Sequence, residues 1–335
     1  MWLLLSAALL LCVGLSQEFL IAGSCDRRCG HGLDHSVTCQ CNSACESHGD
    51  CCSDYGVLCL HQGTGTATGT LDITCSSSFN DVTEALWRGD VNRLSTSQYT
   101  VNYQTHVSSG NTVDRASSPF FTHLDETVLT SRATFRTFVA LQNNYIPNQG
   151  QSDPLSSHDN SEINDFLSAV LSTYVMQTTF KYLQCRGIVH TEPDFRSELM
   201  RLWFTPYPRH PGGQADSSGF EHVMVGEYQS SSEVNGLHSW LAYYLKEKNH
   251  QINYYGYVER TSPNLVALNY SWNGRHKGLG SFFLGTSPEF DMALYTLCAL
   301  ANTGAVQLNG KYIHIQTHDI SFVSGHQIAS AYPSF

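Results

Sequence analysis

Basic side chains are scarce in this chain of 335 residues: Lys and Arg total 18 against 29 Asp and Glu, for a formal net charge of −11. A sequence-independent, high-affinity nucleic-acid binder is basic overall, so that class is excluded, although a small cationic cleft engaging a few phosphates is not. Long apolar runs are equally scarce. Beyond the first residues no stretch approaches the roughly 20 apolar residues that cross a bilayer, so no membrane span is expected. There is no internal repeat of the solenoid kind.

The chain opens with an uncharged run of apolar and small residues over 2–13, followed by Gly14 and Ser16. Its length fits the roughly 7–15 residues of a signal-peptide core, although no Lys or Arg precedes it. Residues 1–16 are therefore expected to be a cleaved secretory signal, leaving a secreted, extracellular protein. Eight of the 12 cysteines then crowd between Cys25 and Cys59. So short a segment cannot bury a sufficient apolar core, and in an exported chain dense cysteine reads as a disulfide scaffold rather than a zinc site. Cys25, Cys29, Cys39, Cys41, Cys45, Cys51, Cys52 and Cys59 allow roughly a hundred pairings, and spacing does not choose among them. Residues 61–70, HQGTGTATGT, have the composition of a flexible linker. Removal of the signal leaves Cys75, Cys185 and Cys298 outside the module. At least one of these must lack a partner within the chain, and Cys298, on an apolar helix face, is expected to be a buried thiol.

The larger region mixes helical and strand patterns. Residues 162–181 carry a helical apolar stripe capped by Asn160 or Ser161, and 195–204 is a shorter helix candidate. Residues 220–229 alternate and favour a strand, which would carry His222. Asn235 is expected to cap a helix over 236–248, with His238 in its first turn, where the helix dipole favours a neutral imidazole. Strands are expected over 252–258, 265–272 and 281–284. Ser287-Pro288-Glu289 starts a helix, and Leu308-Asn309-Gly310-Lys311 turns a hairpin. A helical block followed by strands with interspersed helices predicts an α+β fold with antiparallel sheets.

The chemistry is concentrated in His222 (FEHVMVGE, 220–227), His238 (NGLHSW, 235–240) and Lys277 (GRHKGLGS, 274–281). Two imidazoles can serve as base and acid near neutral pH, and an ammonium can steady a charged phosphorane between them. Those parts suffice to cleave RNA through its own 2′-hydroxyl.

The cysteine spacing, with its adjacent pair followed by Ser53-Asp54-Tyr55, resembles a somatomedin B domain. That resemblance implies a binding knot with an extracellular protein partner, or simply a stable spacer. The stretches FEHVMVGE, NGLHSW and GRHKGLGSFFLGTSPEFDMALYTLC, together with ALWRGDVNRL (85–94) and IASAYP (328–333), resemble the EndoU family of uridylate-specific endoribonucleases. The implied organisation is a signal at 1–16, a somatomedin B knot at 21–63, a linker at 64–71 and an EndoU-like domain of antiparallel sheets with flanking helices at 72–335. This combination resembles a secreted vertebrate form of the family.

By that resemblance His238 is the general base, His222 the general acid and Lys277 the charge stabiliser. Single-stranded, U-containing RNA is cut to 2′,3′-cyclic phosphate ends. Glu221 and Glu227 flank the first histidine as supporting acids that orient imidazoles or assist a metal. Ser281, Ser330 and Tyr332 match positions that hold phosphate and uracil. Manganese (Mn2+) is implied by the family alone, since no cluster here has manganese spacing, and its ligands are unknown.

A monomer is expected. Arg88-Gly89-Asp90 spells an integrin-recognition tripeptide but sits inside a family motif and is read as structural. His314 and His318, near Asp319, are read as a solvated strand face rather than a metal site. Asn269-Tyr270-Ser271 fits the N-glycosylation pattern, with Asn269 as acceptor. The alternative function is a secreted adhesion or scaffold protein whose nuclease-like domain only binds RNA or protein, but a pure binder has no need of two histidines and Lys277.

Overall fold

The computed structural model describes residues 25, 28–29, 32–52, 55, 59, 73–152, 154–323, 325 and 327–335. The expected signal and linker lie outside these residues. In the cysteine module the pairs are Cys25–Cys41, Cys29–Cys59, Cys39–Cys52 and Cys45–Cys51. Its core is these cystines packed with Tyr55, which replaces the aliphatic core so short a segment lacks.

In the larger region helices come first. Helix α1 (Phe79–Gly89) starts at a capping box in which Ser78 and Asp81 satisfy each other's backbone amides. Strands β1 (Tyr99–Val101) and β2 (Phe121–Leu124) form a small antiparallel pair. They precede α2 (Thr127–Ser131) and α3 (Ala133–Ala140). The long stripe predicted over 162–181 is two helices, α4 (Ser157–Leu171) and α5 (Tyr174–Cys185). The first cap is Ser156 rather than Asn160 or Ser161. The break comes at Thr173, whose side chain accepts the Met176 N–H and restarts the helix. Cys75 is bonded to Cys185 at the end of α5, and Cys298 is a free, buried thiol, as expected. The 195–204 candidate is α6 (Glu192–Leu199) continued by a wider π-helical turn, Met200–Phe204.

Three antiparallel sheets follow: β3 (Glu227–Tyr228) with β4 (Val234–Asn235), the three-stranded β5–β6–β7, and β8–β9–β10 with β9 central. Helix α7 (Trp240–Lys248) precedes β5 (Ile252–Thr261), β6 (Leu265–Trp272) and β7 (Arg275–Phe283). Helix α8 (Pro288–Ala301) begins where Ser287-Pro288-Glu289 predicts, with Ser287 accepting the Phe290 N–H. Strands β8 (Ala305–Leu308) and β9 (Lys311–Asp319) turn at Asn309 and Gly310, both at positive φ, before β10 (Ile328–Ser334). The α+β expectation holds, and one continuous apolar core runs under these elements. In the Arg88-Gly89-Asp90 tripeptide Arg88 is exposed, but Gly89 and Asp90 are buried. Tyr174 packs against Gly89 so closely that a Cβ there would lie 2.2 Å from its ring, and buried Asp90 accepts the Ser287 N–H.

Candidate active site

Two sequence expectations about the histidines are corrected. His222 is not on a strand. It sits in a π-helical turn, Glu221–Val225, that is buried throughout, so the alternation of residue types over 220–229 does not reflect two faces. Phe220 anchors the turn by stacking on Phe204, centroids 4.9 Å apart, with Phe138 and Phe166 around it. Nor does Asn235 cap a helix. It ends β4, and the cap of α7 is Ser239, leaving His238 one residue outside the helix.

The two histidine segments are joined through the backbone. The Leu237 N–H donates to His222 O at 2.9 Å and the His238 N–H to Val223 O at 2.7 Å. Gly236 makes this approach possible: its φ is +63°, and a Cβ there would lie 1.9 Å from His222 O. The ring centroids of His222 and His238 consequently sit 6.4 Å apart, a separation that leaves room for one phosphate group between them.

Each ring is fixed by what its Nδ1 faces. His238 Nδ1 lies 3.0 Å from Ser281 O, so Nδ1 carries the proton and Nε2 keeps its lone pair. Ser281 Oγ in turn donates to Pro333 O at 2.6 Å, joining β7 to β10. Tyr332 stacks on His238 with centroids 4.6 Å apart and planes 18° from parallel. His222 Nδ1 lies 3.4 Å from Glu227 Oε2, and Ser330 Oγ lies 3.2 Å from Nε2.

Fully buried Glu227 holds this arrangement. Arg209 donates to both its oxygens, Nε to Oε2 and Nη2 to Oε1, each at 3.1 Å; Ser217 and Gln149 donate as well. Burial alone would raise its carboxyl pKa, but His222, Arg209 and Ser217 outweigh burial and hold it at about 2. Burial and then the Arg209 charge depress His222 to about 4, against the opposing pull of Glu227. His238 is held well below its ordinary value by burial, by Lys277 and by His222. Burial, rather than the helix dipole, is thus the leading cause.

Lys277 acts electrostatically on both imidazoles, and burial lowers its own ammonium to about 8. Its neighbours are engaged elsewhere. Arg275 lies over Tyr228, 4.0 Å from the ring centroid, and His276 Nε2 is 3.0 Å from Asn269 Oδ1. The register of β7 therefore singles out Lys277 of the three.

The structure brings His222, His238, Lys277, Glu227, Ser281, Ser330 and Tyr332 together. Glu221 is placed differently: it lines a cavity of about 10 Å³ with Tyr145, Leu155, Phe204 and Pro206. The imidazole-orienting role falls to Glu227. Asn269 is corrected as a glycosylation acceptor. It is fully buried in β6, and its side-chain nitrogen donates to Asn111 O at 2.8 Å. Arg209, Ser217 and Gln149 went unnoticed in the sequence, since no motif links them to Glu227.

The donors here do not fit a resident manganese ion. Glu227 is saturated by protein donors, and no second carboxylate touches the histidines among the described residues. The one compact group of three metal-ligating residues among the described residues is Cys25, Cys41 and Cys52, all in disulfides.

Two buried imidazoles beside an ammonium, bordered by a half-exposed aromatic ring, make a cleft equipped for proton transfer at a phosphate. The chain belongs to the XendoU endoribonuclease family: the family described as Endoribonuclease XendoU matches residues 78–333, and Somatomedin B domain matches 23–62. It is 34% identical to a uridylate-specific endoribonuclease of Bos taurus over 90% of this chain and 74% of that one. It is 36% identical to poly(U)-specific endoribonuclease-A of Xenopus laevis over 79% and 94%. A solved structure of XendoU, described as a splicing-independent snoRNA-processing endoribonuclease, superposes with a TM-score of 0.65 at 35% identity. That match covers 76% of this chain and 96% of the other. No helix among the described residues is long and apolar enough to cross a membrane.

Proposed function

We propose that this protein is a secreted endoribonuclease that cuts single-stranded RNA on the 3′ side of uridylates, leaving 2′,3′-cyclic phosphate ends. The observation that carries the reading is the 6.4 Å separation of two imidazoles whose Nδ1 atoms are both held by the protein, with His238 Nε2 turned toward substrate and His222 Nε2 meeting only the Ser330 hydroxyl, which substrate can displace. His238 Nε2 takes the proton of the 2′-hydroxyl as that oxygen attacks phosphorus. His222, with Glu227 behind it, gives a proton to the 5′-oxygen as the P–O5′ bond breaks. Lys277 neutralises the phosphorane. Burial leads in depressing both histidine pKa values, and a phosphodiester anion between the rings raises both, which favours protonation of His222. Tyr332 and Ser330 offer an aromatic face and a hydroxyl to uracil. Five disulfides support the extracellular assignment. The somatomedin B module supplies the site for an extracellular protein partner. The protein acts as a monomer.

The test is incubation of the full chain with oligo(U) and oligo(A), with and without manganese, followed by end-group analysis. Cutting confined to oligo(U), with cyclic phosphate ends, is expected. His222→Ala and His238→Ala should each reduce cutting at least a thousandfold while circular dichroism stays unchanged. Undiminished cutting by either variant refutes the mechanism.

A further inference from the structure

The sheet that supplies Ser330 and Tyr332 continues well past the catalytic pair. On its central strand, β9, the side chains Tyr312, His314, Gln316 and His318 alternate onto one face, while Ile313 and Ile315 turn inward to the core. The register places Ser330 opposite His318, Tyr332 opposite Gln316 and Ser334 opposite His314, so the catalytic-side residues of β10 share that face. His318 also lies near Tyr332: its ring is 6.0 Å from that of Tyr332, with the planes 28° apart. At the far end Tyr312 is 75% exposed and Phe335 46%, an unusual display of aromatic surface. They border a cleft of about 480 Å³ together with Leu265, Thr261, His314 and Glu259. From His318 to Tyr312 the strand covers roughly 20 Å, the length of a few nucleotides. Among the described residues the side chains on this face include no carboxylate before Glu259 at its end, in a chain whose net charge is −11.

We propose that this face binds the RNA strand on one side of the cleaved bond, with flanking bases stacking along His318 and Tyr312. Continuity with the catalytic rings names the occupant: a strand whose uracil lies at Tyr332 must leave the cleft across neighbouring surface, and this one offers aromatic rings without repelling phosphate. The inference rests on the nuclease reading. It adds a length dependence that the catalytic constellation alone does not require.

The experiment compares a uridylate dinucleotide with hexanucleotides extended on either the 5′ or the 3′ side, cleaved by the full chain and by Tyr312→Ala and Tyr312→Phe. One extended hexanucleotide should exceed the dinucleotide in kcat/KM by roughly tenfold, the scale of one stacked base. Tyr312→Ala should lose that advantage through KM, with kcat and dinucleotide cleavage unchanged, and Tyr312→Phe should keep it. Equal cleavage of all substrates by the parent protein, or an advantage retained by Tyr312→Ala, overturns the proposal. Should the parent cut no RNA, the nuclease reading fails separately. Binding of fluorescent oligo(U), parent against Tyr312→Ala, then decides this inference, and equal affinity overturns it.

Discussion

Replacing Glu227 by Gln tests the hydrogen-bonded assembly behind His222. The carboxylate accepts from Arg209, Ser217, Gln149 and His222, so an amide nitrogen in place of either oxygen points a donor at donors. Arg209, whose side chain is 9% exposed, loses the carboxylate with which it is paired. Two routes give the magnitude. Breaking a buried ion pair by removing one partner costs about 3–5 kcal/mol. Independently, a carboxyl held at about 2 against an ordinary 4.5 contributes about 3 kcal/mol at neutral pH. A depressed folded pKa means this stability is present above pH 4.5 and is lost as pH falls toward 2. Urea unfolding at pH 7 should therefore show Glu227→Gln less stable by about 3 kcal/mol, with the difference shrinking as the pH falls from 4.5 toward 2. Activity should drop on the folded protein by about 10–100-fold in kcat, because His222 loses the group that favours its protonated form. A variant within 1 kcal/mol of the parent at pH 7 would refute the electrostatic argument.

Other outcomes follow from the same geometry. Gly236→Ala sets a Cβ against His222 O at positive φ and should abolish cutting and lower the unfolding midpoint, read by thermal denaturation and the oligo(U) assay. Replacing Cys75 and Cys185 by Ser opens a link between residues 110 positions apart and should cost about 4–5 kcal/mol on the chain-entropy account, measured by urea unfolding. Asn269→Gln should leave electrophoretic mobility unchanged in protein secreted by animal cells, while altering the position of His276 and lowering stability; loss of a glycan-sized shift would contradict its burial.

Legibility varied with how local the cause was. Helix α8 could be read from Ser287, Pro288 and Glu289, and the β8–β9 hairpin from Asn309-Gly310, because cap and turn chemistry act within a few residues. The juxtaposition of His222, His238 and Lys277 was legible through the family motifs. The secondary structure carrying the pair was not: Phe220 is packed among Phe138, Phe166 and Phe204 and every residue of 221–225 is buried, so hydrophobic periodicity holds no information there. Asn235 has the chemistry of a cap, but its segment is used for the close crossing at Gly236, and Ser239 takes over the helix. Thr173 is a cap hidden inside an unbroken apolar stripe. Arg209 acts through the tertiary structure alone, and its position carries no local pattern.

The Ser281–Pro333 bond and the Tyr332–His238 stack make β10 a working part of the cleft. Both imidazoles are translated long before that strand. A ribosome-bound copy therefore holds both histidines before the ring and hydroxyl that border them exist, and on the proposed mechanism is inactive until β10 is made. Proteolytic clipping ahead of Ile328 would return a finished molecule to that same inert condition.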